Sequence, residues 1–225
     1  YLARIALARR PGPAWIDIPL DVQAAEIDPS QQSGFSPNAD PDQRVPNHHR
    51  LAEKVKLTLD SLRKSERPVI LIGNGVRLAE SQDAMNLLAD RLKVPILTTW
   101  KALDLFEEHD PLFIGRPGAI AQRAANFAQQ RSDWFLMIGA RMDMGQTAYM
   151  HKFLAPEATR IMVDVDEAQI KKMDTAIAIE IHHEGKILLW LSHIMSNITQ
   201  NDVNLILDRI LDEINKHFIE EGEII

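Results

Sequence analysis

Cysteine is absent from the 225-residue chain, which removes disulfides, thiolate metal sites and a cysteine nucleophile together. A reducing, cytoplasmic compartment is the expectation that fits this. Positive charge is short as well: 25 Lys and Arg stand against 32 Asp and Glu, a net charge of −7. Sequence-independent nucleic-acid binding needs a cationic face, so no nucleic-acid partner is expected. No apolar run approaches the roughly 20 residues of a membrane span, and the chain does not open on a signal-like segment. No membrane partner is expected either. The motifs GxSxG, HExxH and GxxxxGK[ST] are missing, and with them the common nucleophile elbow, zinc-protease helix and phosphate loop. What is present is 45% hydrophobic and 25% charged. That is ordinary for a soluble protein, on a chain long enough for one large core or two small ones.

The chain has a readable grammar. "YLARIALA" is helix-like, "RRPG" breaks it, and "AWIDIPL" reads as a short apolar strand. From Gln31 to His49 the sequence "QQSGFSPNADPDQRVPNHH" is polar, carries three prolines and has no period, the composition of a linker. "LAEKVKLTLDSLRKSERP" then places Leu51, Val55, Leu59 and Leu62 on one helical face. "PVILIGNG", "VPILTT", "DWFLMIGAR" and "TRIMVDVD" are continuous apolar runs, the pattern of strands covered on both faces. Between them, "SQDAMNLLADRLK" reads as a helix with Ser81 as N-cap, and "AIAQRAANFAQQ" as another. "DVNLILDRILDEINKHF" aligns Val203, Ile206, Ile210, Ile214 and Phe218 along one helix face. Strands alternating with helices specify an α/β fold, a Rossmann-like parallel sheet flanked by helices.

Ligands of such sheets sit outside the carboxyl ends of the strands. Those ends are Gly73-Asn74-Gly75, Thr98-Thr99, Gly139-Ala140-Arg141 and Asp164-Val165-Asp166. Glycines there let backbone amides approach a phosphate, and a helix N-terminus following the turn favours an anion. The plain alternative is that these glycines only turn the chain, and "GNGVRLAES" is not GxGxxG. Other groups are weaker. His48-His49 and His182-His183 are adjacent pairs whose side chains diverge, with no further ligand nearby. Glu107, Glu108, His109 and Asp110 form a solvated loop with nothing to shift a pKa. Met142, Met144 and Tyr149 read as packing. No catalytic residue and no metal ligand is assigned.

Taken in order, "RRPGPAWIDIPLDVQ", "RPVILIGNGV", "VPILTTWKALDLFEEHDPLFIGRPG", "NFAQQRSDWFLMIGARMD" and "RIMVDVDEAQI" resemble the thiamine-diphosphate-dependent enzymes of the acetolactate synthase type. The resemblance covers residues 1 to about 190. It implies that residues 1–30 end a pyrimidine-binding domain, 31–47 form a linker, 48–190 a central Rossmann-like domain, and 191–225 a linker and amphipathic helix. It further implies that a parent enzyme joins or cleaves carbon–carbon bonds of 2-keto acids with thiamine diphosphate and Mg²⁺, as a homo-oligomer, dimer or tetramer. The activating glutamate and the GDG…N motif of that family lie in its other domains, so this chain alone is expected to be inactive.

The family's central domain holds FAD, ADP or nothing. Its matching positions here are Gly73, Gly75, Thr98, Thr99, Gly115, Gly118, Gly139, Arg141, Asp143 and Asp164. By the same match Arg141 would pair with a diphosphate and Asp164 with a hydroxyl or an adenine edge. Two positions depart: the glycine loop reads "GRPG" instead of GMHG, and Gly145 stands where a second arginine is expected. Arg116, inside the altered loop, is a rival cation. An independent nucleotide-binding domain (FAD, ADP or NAD, dehydrogenase- or sirtuin-like) and a non-enzymatic interaction module remain as alternatives. "RPGPAWIDIPLDVQ" has no task in a self-contained domain and favours the enzyme reading.

Overall fold

A computed structural model describes residues 12–34, 48–180 and 194–220. The chain divides into two compact units, residues 1–46 and 47–225. In the first unit, residues 12–19 form no regular element, a single helical turn α1 occupies Leu20–Gln23, and a 3₁₀ turn occupies Pro29–Gln31. Every described residue of 12–34 is exposed, Trp15 to 88%. This corrects the strand expected over "AWIDIPL". Alternating apolar residues specify a strand only where another strand accepts its hydrogen bonds, and none is paired with this segment among the described residues. "YLARIALA", most of the expected linker and His182-His183 lie outside the described residues.

The second unit is a six-stranded, all-parallel sheet of order β3-β2-β1-β4-β5-β6. The strands are β1 Pro68–Ile72, β2 Ile96–Thr98, β3 Phe113–Gly115, β4 Trp134–Ile138, β5 Thr159–Asp164 and β6 Ile177–Glu180. Helices α2 His48–Leu62, α3 Gly75–Leu78, α4 Gln82–Leu92, α5 Arg123–Arg131, α6 Met144–Thr147, α7 Glu167–Lys172 and α8 Gln200–Glu220 connect or flank them. The fold class read from the sequence is the one observed. Strand residues alternate faces, so each apolar run feeds two cores. Ile70, Ile72, Ile96, Trp134, Leu136, Ile138, Ile161 and Val163 pack with Val55, Leu59 and Leu62 of α2, Leu88 of α4 and Val203 and Ile206 of α8. Val69, Leu71, Leu97, Phe135, Met137 and Met162 face the opposite way, onto Ala125, Met142, Leu154 and Ile170.

Several expected elements shift. The helix expected from Ala119 starts at Arg123. Ser81 does stand at the N-cap of α4, but its hydroxyl donates to Ala79 O, 2.8 Å, and caps nothing. Met142 is buried as expected, whereas Met144 and Tyr149 are 55% and 75% exposed and do not pack. Strands β3 and β6 were not foreseen.

The long α8 is fixed to the domain by a carboxylate. Asp202 Oδ1 and Oδ2 accept from Arg63 Nε and Nη2 at 2.6 and 3.1 Å. Thr199 N–H and hydroxyl also donate to Asp202 Oδ2, while Asp202 N–H donates back to Thr199 Oγ1. That reciprocal pair is a capping box with Asp in the acidic position. The Arg63 guanidinium, outweighing the cost of burial, holds the Asp202 carboxyl far below the usual carboxylate range. A depressed folded-state pKa stabilises above the unfolded-state pKa and loses that stabilisation as pH falls. Asp202→Asn should therefore cost about 1–2 kcal/mol at neutral pH, discounted for partial exposure. The gap between variant and wild type should begin to narrow as pH falls below about 4, the ordinary aspartate value, and should close only at still lower pH, where the folded-state carboxyl itself protonates. Denaturant melts at pH 7 and pH 3 check both statements.

Candidate functional site

All strands run parallel, so the expected site positions fall on one edge of the sheet, at the carboxyl ends. The order places the topological switch between β1 and β4, where a crevice for ligand opens in folds of this kind. Gly73 and Gly75 follow β1, Thr98 ends β2 with Thr99 after it, and Gly115 ends β3 with Gly118 just beyond. Gly139, Arg141 and Asp143 follow β4, and Asp164 ends β5.

The structure brings three of these glycines into contact. A Cβ added at Gly73 would lie 2.1 Å from Gly139 O, and one at Gly75 2.6 Å from Gly139 Cα. Gly139 has φ +56°, and a Cβ there would meet Gly75 Cα at 2.8 Å. Their amides are committed: Gly73 N–H donates to Ile138 O at 2.9 Å, Gly75 N–H to Gly139 O at 3.0 Å, and Gly139 N–H to Val163 O at 2.8 Å. The sequence-level picture of these amides cradling a phosphate is thus corrected: they close the backbone of one turn onto the other. The helix after β1 is also a single turn, Gly75–Leu78. Aligned peptide dipoles accumulate only over a longer run, so it offers no anion site of the expected kind.

The second glycine contact joins the β3 and β4 loops. Ala119 N–H donates to Gly145 O at 2.8 Å, and a Cβ on Gly118 would lie 2.6 Å from that same oxygen. Gly145, read in the sequence only as a missing arginine, is therefore the partner against which the glycine loop packs. Asp143 caps α6 by accepting from Gln146 N–H at 3.3 Å. Asp164 is 3% exposed, and its Oδ1 accepts from Asp166 N–H at 2.9 Å. Thr98 is fully buried, and its Oγ1 has no hydrogen-bond partner among the described residues.

The arginines at this edge differ sharply. Arg77 pairs with the Asp104 carboxylate and donates to Asn74 Oδ1 at 2.7 Å and Lys101 O at 3.1 Å. Arg116 pairs with Glu108 at 3.1 Å and lies over the Phe113 ring, 5.4 Å from its centroid. These guanidiniums hold Asp104 and Glu108 below their usual carboxylate range. The solvated Glu107–Asp110 loop of the sequence reading therefore has one member, Glu108, tied to the glycine loop. Arg141 is exposed and has no ion pair or hydrogen bond among the described residues. Its rival is occupied; Arg141 is not. Burial, and then the Lys172 charge, lower the His151 pKa, favouring neutral imidazole.

The described residues contain no group of three or more His, Cys, Asp and Glu positioned to hold a metal ion. They include no helix long and apolar enough to cross a membrane.

Comparison with known proteins places this geometry. A family model described as "Thiamine pyrophosphate enzyme, central domain" matches residues 55–189. The chain belongs to that family, and its parallel sheet is the family's α/β central domain. Among similar proteins, the acetolactate synthase large subunit of Corynebacterium glutamicum is 34% identical over 174 residues, 75% of this chain and 26% of that protein. The probable acetolactate synthase large subunit of Methanocaldococcus jannaschii is 35% identical over 168 residues, 75% of this chain and 28% of its own length. Acetolactate synthase isozyme 2 large subunit of Escherichia coli is 28% identical over 221 residues, 98% of this chain and 38% of its own length. The chain thus spans about a quarter to two fifths of these relatives.

The glycine interlock yields a direct test. Gly139→Ala combines a positive φ with backbone overlap, each costing about 1–3 kcal/mol, so a loss of about 2–5 kcal/mol is expected in urea denaturation. Gly34→Ala, which meets nothing within 4 Å, should stay within about 0.5 kcal/mol of wild type.

Proposed function

We propose that this chain is the central domain of a thiamine-diphosphate-dependent enzyme of the acetolactate synthase type, and that its strand-end mouth binds the diphosphate of ADP or FAD. Residues 1–30, 31–47 and 191–225 would be the end of a pyrimidine-binding domain, its linker, and the connection that follows the central domain. The whole enzyme would act on a 2-keto acid in the cytoplasm, as a homo-oligomer. Thiamine diphosphate supplies the electron sink for making and breaking carbon–carbon bonds beside a carbonyl. The described residues assemble no carboxylate cluster of the kind that would hold its Mg²⁺.

For the nucleotide the fit is different. One observation carries the reading: Arg77 and Arg116 are neutralised within the chain, whereas Arg141 projects unpaired from the turn beside the switch point. A guanidinium meets a diphosphate with two parallel, charge-assisted hydrogen bonds. Thr98 Oγ1, buried at the end of β2 without a hydrogen-bond partner among the described residues, is a second unused polar atom on the same edge. The glycine amides, already bonded, would shape the mouth without donating to the ligand.

Arg141→Ala should weaken ADP or FAD binding roughly ten- to hundred-fold, the loss of one hydrogen-bonded partner to a charged group. Because the side chain is exposed and unpaired, the melting temperature of the free protein should hold. Arg116→Ala should change affinity little and loosen the loop that Glu108 now ties. Calorimetry on both variants checks the assignment. Equal affinity of Arg141→Ala and wild type for both nucleotides would refute it.

A further inference from the structure

A second recess lies away from the β1–β4 switch, on the sheet face that carries the smaller core. It is a cleft of about 330 Å³ between α5 and the segment Met144–Leu154. It shares only Gly118 with the strand-end positions. That volume is at the lower end of small-molecule sites. Two properties of its walls define what it could take.

The first is charge. No charged side chain is among the described residues lining the cleft; its polar walls are amides and a threonine. The second is hydrogen-bond accounting. Asn126 spends both polar atoms on Gly118, accepting from its N–H at 2.8 Å and donating to its carbonyl at 3.0 Å. Gln146 donates to Pro117 O at 2.9 Å, and Gln130 accepts from Ala155 N–H at 2.8 Å. Gln129 is only 2% exposed, and its Oε1 has no hydrogen-bond partner among the described residues. Buried amide oxygens almost always find a donor. The other wall supplies Met150 and Phe153, both more than half exposed, surfaces suited to a flat ring.

We propose that this cleft binds an uncharged planar ring of nucleobase size bearing an N–H donor, with Gln129 Oε1 as its acceptor and Phe153 and Met150 against its face. An anionic ligand is disfavoured because no charged side chain lines the cleft; the neighbouring Lys152 ammonium lies over one face of the Phe153 ring, 4.8 Å from its centroid, and leaves the other face to the ligand. An aliphatic ligand would leave the Gln129 oxygen as it is now. The site is independent of the Arg141 mouth, and either could exist without the other.

The experiment uses the full chain, ¹⁵N-labelled, titrated with uracil and with 1,3-dimethyluracil, which keeps the ring and lacks both N–H groups. Uracil should perturb the amides of Gly118, Ala119, Thr147 and Ala148, and dimethyluracil should bind about tenfold more weakly, the worth of one neutral hydrogen bond. Gln129→Met, close to isosteric, should erase the difference between the two rings. Arg141→Ala should leave uracil binding unchanged. Equal affinity of wild type for the two rings would overturn the proposal. So would the absence of any perturbation at millimolar uracil, or a Gln129→Met protein that still prefers uracil. Loss of uracil binding in Arg141→Ala would also overturn it, by placing the ring at the strand-end mouth.

Discussion

At the carboxyl edge of the sheet the turn after β1 and the turn after β4 meet backbone to backbone. Gly73 and Gly75 on one side and Gly139 on the other leave no room for any Cβ, and their three amides stitch the two turns to each other and to β5. A parallel sheet whose order reverses at this point would otherwise leave a gap between diverging connections. Here the gap is narrowed by backbone. Under the nucleotide reading proposed above, recognition would come from side chains that project past the interlock, and Arg141, two residues beyond Gly139, is the one we propose.

The charges around the mouth follow from the same geometry. The long connection between β2 and β3 carries Asp104 and Glu108, and each holds an arginine that would otherwise face solvent. Both acids are largely exposed, so these pairs contribute modestly to stability and are weakened by salt. Their larger effect is on availability: Arg77 and Arg116 are neutralised where they stand. Membership of the thiamine pyrophosphate central-domain family gives the remaining cation a context.

Much of this was legible in the sequence, for a physical reason. Runs such as "PVILI" and "WFLMI" must satisfy apolar surroundings on both faces, and such runs between helical periods leave few alternatives to a covered parallel sheet. Strands β3 and β6 escaped because they sit at the two edges, are three and four residues long, and are partly exposed. "AWIDIPL" misled in the opposite direction: it has strand composition, but pairing is a property of the neighbours. The strand-end glycines could be placed from the sequence, yet their contacts were not readable, since sequence cannot say whether a missing Cβ makes room for a ligand or for another backbone. Gly145 and Gln129 were invisible for a related reason. Their significance lies in a contact with Gly118 and in an unmet hydrogen bond, both created only when separate segments converge.

Amide hydrogen exchange at Gly73, Gly75 and Gly139 tests the account most directly. If the turns are locked to each other, all three amides should be protected to the degree of Ile70–Ile72 in the centre of the sheet, and ADP should leave that protection unchanged. Exchange at loop rates in the free protein, with protection gained only when ADP is added, would show that these amides serve the ligand and would contradict the interlock.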